Sequence, residues 1–282
     1  MPELPEVETV LRGIEPHLQN QTISLVKTYR KDLRIPFPKD LKKTLESAKI
    51  VSLQRRAKYI LIHLDNNIIL SIHLGMSGSI QIVTDGMQYD LRKHDHFEMR
   101  LSNKVRIIYN DPRRFGMIFT LANDEANTHK AFAHLGPEPL GNKFSAQILK
   151  ARLKDKTVSI KQALLDQTVV VGVGNIYACE ALYMTGINPK KPAGKISLKK
   201  LEDLVQSIRK VLSVAIEAGG STLQDHRQAD GTLGYFQHQF NVYDQESLPC
   251  GQCDCKVEKT GGVKRIVQSG RSTFYCPQKQ KA

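Results

Sequence analysis

The chain has 282 residues, with 41 Lys and Arg against 28 Asp and Glu, a formal net charge of +13. Apolar residues at 40% exclude a wholly disordered chain, and the length favours two domains over a single core. No apolar run reaches the roughly 18 residues of a membrane span, and no charged-then-apolar signal segment opens the sequence. A cytoplasmic protein with a polyanionic partner is expected, nucleic acid before an anionic membrane surface; a basic enzyme without a polyanion is the alternative.

Residues 4–19 place Val7, Val10, Leu11, Ile14 and Leu18 on one face, which predicts an amphipathic helix entered through Pro5. Ahead of it stands Met1-Pro2-Glu3. Removal of Met1 leaves Pro2 as a secondary α-amine. Its unperturbed pKa near ~8 gives more neutral nucleophile at pH 7 than a lysine has. Attack on an aldehyde-level carbon yields an iminium directly. Glu3 is then in reach as a proton donor, and Lys58 in the QRRAKY turn is a second titratable group. The competing reading is that many proteins open Met-Pro, with Pro5 and Glu6 no more than helix-start chemistry.

Short β-type runs follow at 23–26, 50–53, 59–64, 68–73, 79–83, 96–101, 105–109 and 117–121. Their spacing suits an antiparallel sandwich, with one further short helix over 39–48. Two turns in this stretch stand out. HLGMSG at 73–78 exposes Met76 between glycines, the kind of apolar wedge that unstacks base steps. NDPRRFG at 110–116 sets Arg113 and Arg114 beside Phe115, a combination suited to an opened duplex. Ordinary loop chemistry is the alternative for both. In RKHDHFE, His94 and His96 alternate along a strand and share a face. A His-x-His metal pair is one reading; with Arg92 and Lys93 adjacent, phosphate contact by His94 is preferred, with His96 a packed strand residue.

Beyond about residue 122 the pattern turns helical, over 145–154, 159–167, 175–185 and 197–218. GVGN at 172–175 opens one of these helices and suits a single phosphate, with Lys154, Lys156 and Asn175 completing a clamp. A capped helix with a glycine turn would read the same way. The polar segment 219–241 is long for a loop and is expected to be mobile and functional. Cys179 stands alone in an apolar helix and reads as core.

The remaining cysteines read as a metal knuckle. Cys250-x2-Cys253 is a half-site for tetrahedral zinc, and Cys276 supplies a third thiolate. Cys255 either completes an irregular four-thiolate set or replaces Cys253. The alternative is a metal-free hairpin packed around Ile266, Val267, Phe274 and Tyr275. Ser269-Gly270 forms its turn and presents Arg271.

Together these residues resemble the formamidopyrimidine-DNA glycosylase family. The resemblance rests on MPELPEVETV, RRAKY, HLGMSGS, KHDH, DPRRFG, LGPEPL, VVGVGNIYACE, GGSTL and IVQSGRSTFYC, in order along essentially the whole chain. The related endonuclease VIII enzymes typically open Pro-Glu-Gly-Pro, whereas this chain has Pro-Glu-Leu-Pro, so oxidised purines are favoured over pyrimidines. The resemblance implies an α+β fold in two domains. An N-terminal helix and antiparallel β-sandwich would span 1–122, followed by a linker at 123–135. A helix–two-turn–helix domain would occupy 136–241, its 219–241 loop capping the lesion. A zinc-ribbon-like hairpin would fill 242–282, with damaged duplex DNA in the cleft between the domains.

The implied activity is that of a bacterial, nucleoid-associated, monomeric base-excision repair enzyme. It would be a bifunctional glycosylase and abasic-site lyase that removes 8-oxoguanine and formamidopyrimidines by β,δ-elimination. Pro2 is similar to the family's nucleophile and Glu3 to its acid. Lys58 resembles the proton donor near the 5′-side phosphate. Met76, Arg113 and Phe115 resemble the residues that fill the gap left by the everted base. His94, Lys156, Asn175 and Arg271 look like phosphate holders, Arg271 also serving the final elimination. The chain departs from the family where Lys279 stands in place of the usual fourth cysteine, and in its longer Cys253–Cys276 interval.

Overall fold

A computed structural model describes residues 2–221 and 234–281. They form two compact units. The first is Met1–Ala133 with Ala218–Tyr235, the second His134–Glu217 with Phe236–Ala282. Twelve residues of the anticipated capping loop, 222–233, lie outside the described residues.

In the first unit, helix α1 (Leu4–Leu18) starts in a capping box. The Glu3 side chain accepts the Glu6 N–H, and the Glu6 side chain accepts the Glu3 N–H. Its buried face is Val7, Val10, Leu11, Ile14 and Leu18, as the periodicity requires. Strand β1 (Ile23–Thr28) and the short helix α2 (Leu41–Leu45) come next. Then follow β2 (Ile50–Arg56), β3 (Tyr59–Leu64), β4 (Ile68–His73), β5 (Ser79–Val83), β6 (Asp95–Leu101), β7 (Arg106–Asn110) and β8 (Met117–Ala122). They build two four-stranded antiparallel sheets, ordered β1-β6-β7-β5 and β2-β3-β4-β8. One apolar cluster takes Val7 and Ile14 from α1, Ile60, Ile62 and Ile72 from one sheet, and Phe97, Met99 and Ile107 from the other. Strand β2 runs three residues past the apolar stretch. Arg55 pairs with Ile60 in the ladder, and its guanidinium donates to Glu8 at 2.8 Å and to the Ala57 carbonyl at 3.1 Å. A polar strand end held by side-chain bonds is invisible to a search for apolar runs.

The second unit holds α3 (Ala146–Leu153), α4 (Ile160–Leu165), α5 (Asn175–Thr185) and α6 (Leu198–Glu217). Ser145 and Ser159 cap α3 and α4, each hydroxyl accepting a backbone N–H three residues on. Helix α5 is buried almost all round and ends on Gly186, whose left-handed φ of 66° favours glycine. The amphipathic α6 packs Leu201, Leu204, Ile208 and Leu212 inward. A short helix α7 (Val257–Thr260), too brief to show periodicity, precedes the hairpin of β9 (Lys264–Gln268) and β10 (Arg271–Tyr275). The hairpin turns at Ser269 (φ 48°) and Gly270 (φ 72°), the left-handed pair of a two-residue loop. Among the described residues no helix is long and apolar enough to cross a membrane. The architecture is mixed α+β with antiparallel sheets, as the sequence predicts.

Candidate functional site

Pro2 and Glu3 are both buried at the amino end of α1, where the positive end of the helix dipole favours a carboxylate. The Glu3 N–H donates to Glu6 Oε2 at 2.9 Å. The other Glu6 oxygen accepts both the N–H and the hydroxyl of Ser221, each at 2.9 Å. Glu6 thus joins the Pro2-Glu3 end to the residue after which the 222–233 segment begins. The sequence reading of Glu6 as helix-start chemistry covers its capping box with Glu3 but not its bonds to Ser221.

Lys58 follows Ala57 (φ 53°) in the tight turn from β2 to β3 and is half-buried. Tyr59, next in the chain, pairs across the ladder with His73, their rings 4.7 Å apart. Burial first, then the charges of Lys58 and Arg34, push the His73 pKa down to about 4, so its imidazole is neutral near pH 7. Its Nδ1 accepts the Gly75 N–H at 3.0 Å, which orients the turn carrying Met76.

Met76 and Phe115 are exposed large apolar side chains, at 40% and 43%. The Arg113 guanidinium lies 4.9 Å over the Phe115 ring. Arg34, His73, Gly75, Met76 and Phe115 line a cavity of about 420 Å³. The two turns touch backbone to backbone: a β-carbon on Gly75 (φ +65°) would stand 2.4 Å from the Phe115 carbonyl carbon. Met76, Arg113 and Phe115 therefore share one surface of the first unit. His94 sits in the turn just before β6 rather than within it, half-buried, its ring 6.2 Å from that of buried His96. His96 Nε2 bonds the Asp111 carbonyl at 3.0 Å, the packed strand residue anticipated.

In the second unit Asn175 is the first residue of α5, and its Nδ2 donates to the Ser272 carbonyl at 2.9 Å. The lysine brought to it is Lys161, not Lys154 or Lys156. Fully buried, Lys161 donates through Nζ to Asn175 Oδ1 at 2.5 Å, Thr273 Oγ1 at 2.8 Å and the Ser272 carbonyl at 3.2 Å. Lys156 lies between α3 and α4 and pairs with Asp166 at 3.4 Å. Arg271 opens β10 beside the hairpin turn and is exposed. Gln162 donates to the Ser269 hydroxyl, and Gln268 to the Ser159 hydroxyl at 2.9 Å, so the first turn of α4 holds the hairpin tip. A lysine in an apolar helix carries no sequence signal of burial, which is why Lys161 escaped notice.

The four sulfurs of Cys250, Cys253, Cys255 and Cys276 lie within 4.8 Å of one another. A tetrahedron with metal–sulfur bonds of about 2.3 Å has edges of roughly 3.8 Å. The Cys253–Cys276 and Cys255–Cys276 separations are both 3.8 Å, whereas Cys250 stands closer, 3.4 Å from Cys276 and 2.8 Å from Cys255, and would have to draw back to complete the tetrahedron. Burial pushes the Cys250 thiol above its ordinary range, and a soft dication is what would hold such sulfurs as thiolates. These residues fit a metal. Cys255 takes the fourth corner, while Lys279 gives its N–H to Cys276 Sγ at 3.3 Å and sets its Nζ 4.2 Å over the Tyr183 ring. Apolar packing behind the cluster comes from Cys179, Tyr183, Val242, Val263 and Phe274. Val267, offered above as part of a metal-free core, is 68% exposed.

Comparison with known proteins matches residues 1–118 to the formamidopyrimidine-DNA glycosylase N-terminal domain. Residues 135–227 match the H2TH domain of the same enzymes. The formamidopyrimidine-DNA glycosylase of Dinoroseobacter shibae is 50% identical over 288 residues, covering all of both chains. Two solved structures from Lactococcus lactis are also similar. A mutant FPG in complex with a Fapy-dG-containing DNA superimposes with a TM-score of 0.89 at 31% identity, over all of both chains. A complex of Fpg with abasic-site DNA gives 0.89 at 30% identity, covering 99% of this chain and 100% of that one.

Proposed function

The chain belongs to the formamidopyrimidine-DNA glycosylase family, and on that premise we propose how its residues divide the work. It is a DNA glycosylase and abasic-site lyase of base-excision repair, acting on oxidised bases in damaged duplex DNA. Oxidised purines, 8-oxoguanine and formamidopyrimidines, are its preferred lesions. The observation that carries the assignment is the buried Pro2-Glu3 pair at the positive end of α1.

A base inside the stack is unreachable, and its eversion costs roughly a few kcal/mol. Met76, Arg113 and Phe115 fill the gap, while His94, Lys156, Asn175 and Arg271 grip the flanking phosphates. After Met1 is removed, the Pro2 nitrogen attacks C1′, the glycosidic bond breaks, and the base leaves with a proton. The deoxyribose ring opens, leaving Pro2 joined to C1′ as an iminium, which acidifies the C2′ hydrogens. Loss of a C2′ proton expels the 3′-phosphate, and a second elimination expels the 5′-phosphate. Glu3 carries protons between these steps, Lys58 is the acid near the 5′-side phosphate, and Arg271 steadies the last leaving group. Cys250, Cys253, Cys255 and Cys276 would hold one zinc ion, which keeps the base of the hairpin folded. The protein works as a single chain in the bacterial cytoplasm, at the nucleoid.

Borohydride reduction of the iminium tests this assignment. Met-trimmed protein incubated with an 8-oxoguanine duplex should give a covalent protein–DNA adduct, and Pro2→Gly should keep DNA binding while losing most turnover. No adduct, or full activity in Pro2→Gly, overturns Pro2 as nucleophile and leaves a protein that only binds damage.

A further inference from the structure

Asp111 is fully buried directly after β7, and no step of the chemistry above uses it. Its Oδ1 accepts the Ser77 hydroxyl at 2.5 Å, from the turn that carries Met76. Its Oδ2 accepts the Gly116 N–H at 2.8 Å and the Tyr109 hydroxyl at 3.3 Å, from the flanks of the turn that carries Arg113 and Phe115. The Ser77 oxygen in turn accepts the Arg113 N–H at 3.1 Å. The backbone of Asp111 reaches a third segment: its N–H donates to the His94 carbonyl at 3.0 Å, and its carbonyl meets His96 Nε2 at 3.0 Å.

We infer that Asp111 is a positioning residue, which locks the two gap-filling turns into one body and keys that body to His94. The inference rests on the reading of Met76, Arg113 and Phe115 as gap fillers. A wedge drawn from two separate turns works only if both enter the stack together; the ladder pairs His73–Met117 and Ser79–Asn110 bracket the two turns, and the Asp111 carboxylate joins them between those pairs. A carboxylate offers about four acceptor sites, enough to collect donors from both turns at once. Glycine supplies the remaining fit. A β-carbon on Gly116 would fall 1.7 Å from the Tyr109 oxygen, and one on Gly78 would fall 2.5 Å from it. No other side chain could stand where the carboxylate and the phenol converge.

The test compares two substrates. A duplex with 8-oxoguanine needs the base driven from the stack, whereas a preformed abasic site has no base to drive out. Asp111→Ala keeps the backbone bonds to His94 and His96 and the Ser77–Arg113 bond, and removes the carboxylate's bonds to both turns. It should lower kcat for 8-oxoguanine release by about tenfold or more, and abasic-site cleavage by less than about threefold. Asp111→Asn, which keeps one acceptor oxygen, should recover much of the loss, and Ser77→Ala should fall between. 2-Aminopurine beside the lesion should report slower eversion in the same order. Equal losses on both substrates, or unchanged lesion release in folded Asp111→Ala, overturn the inference. Where Asp111→Ala does not fold, Ser77→Ala and Asp111→Asn decide by the same split. Met76→Ala and Phe115→Ala separate the two levels: if they show the split and the Asp111 and Ser77 variants do not, only the coupling is wrong. If they too leave lesion release intact, the wedge reading itself fails and the coupling goes with it.

Discussion

His73 is held neutral by burial and by two neighbouring cations, and that has a measurable consequence. In the unfolded chain an imidazole takes its proton near pH 6.5; in the fold it does so only near pH 4. Between those values the unfolded state binds more protons, so the contribution is present above about pH 6.5 and is lost as pH falls toward 4. A displacement of this size corresponds to roughly 3 kcal/mol once the window has been crossed. His73→Gln should therefore lose less Tm than the parent between pH 7 and pH 5; parallel curves would contradict the assignment. Glu98 titrates in a different window. Burial would raise its carboxyl, but hydrogen bonds from Arg106, Tyr29 and Arg100 lower it to about 2, so its contribution persists down to about pH 4.5. Residues of this kind mark the limit of what the sequence disclosed. Pro2, Glu3, Met76 and Phe115 were legible because their chemistry is local, a chain end or a side chain between glycines. Glu6, Asp111 and Lys161 each also bond a partner distant in sequence, Ser221, Ser77 and Thr273 respectively. No periodicity announces such bonds.

At the scale of elements, the eight strands of the sandwich stand out in the sequence as short β-type runs between polar turns, and the longer helices by apolar periodicity between Gly, Pro and Asn breakers. The hairpin was legible in its turn and ambiguous at its base, since a Cys-x-Cys spacing does not say which sulfurs converge. The structure holds this hairpin at two ends. Four sulfurs gather at the base, and Ser159, Lys161 and Gln162 of the α4 start grip the tip. The ligand set follows from the geometry: Cys255→Ser should lower bound zinc well below one equivalent, whereas Lys279→Ser should leave it near one. Equal zinc in both variants would remove Cys255 from the set. Because the tip is anchored separately, the Cys255 variant should weaken DNA binding less than Arg271→Ala does.

For the whole molecule, the surplus of 41 basic over 28 acidic residues sets how strongly DNA binding answers to salt. Each phosphate neutralised releases condensed counterions, so log K falls against log salt with a slope of about −0.9 per contact on duplex DNA. Charge counts alone cannot say which cations contribute; their partners can. Arg113 and Arg271 are exposed, and replacing either with alanine should reduce the slope by close to one contact. Lys156 shares its charge with Asp166, so its contact exchanges one anion for another and its removal should change the slope by less. Arg106 is bound to buried Glu98 at 2.9 Å and should leave the slope unchanged when replaced by methionine, though that substitution should lower Tm. Titrations of a lesion duplex from low to moderate salt rank the four variants directly. A slope that falls as much for Arg106 as for Arg271 would mean that binding reads the total charge and not its placement. The anticipated order would mean that the placement of each cation, and not the total charge, decides which of them hold DNA.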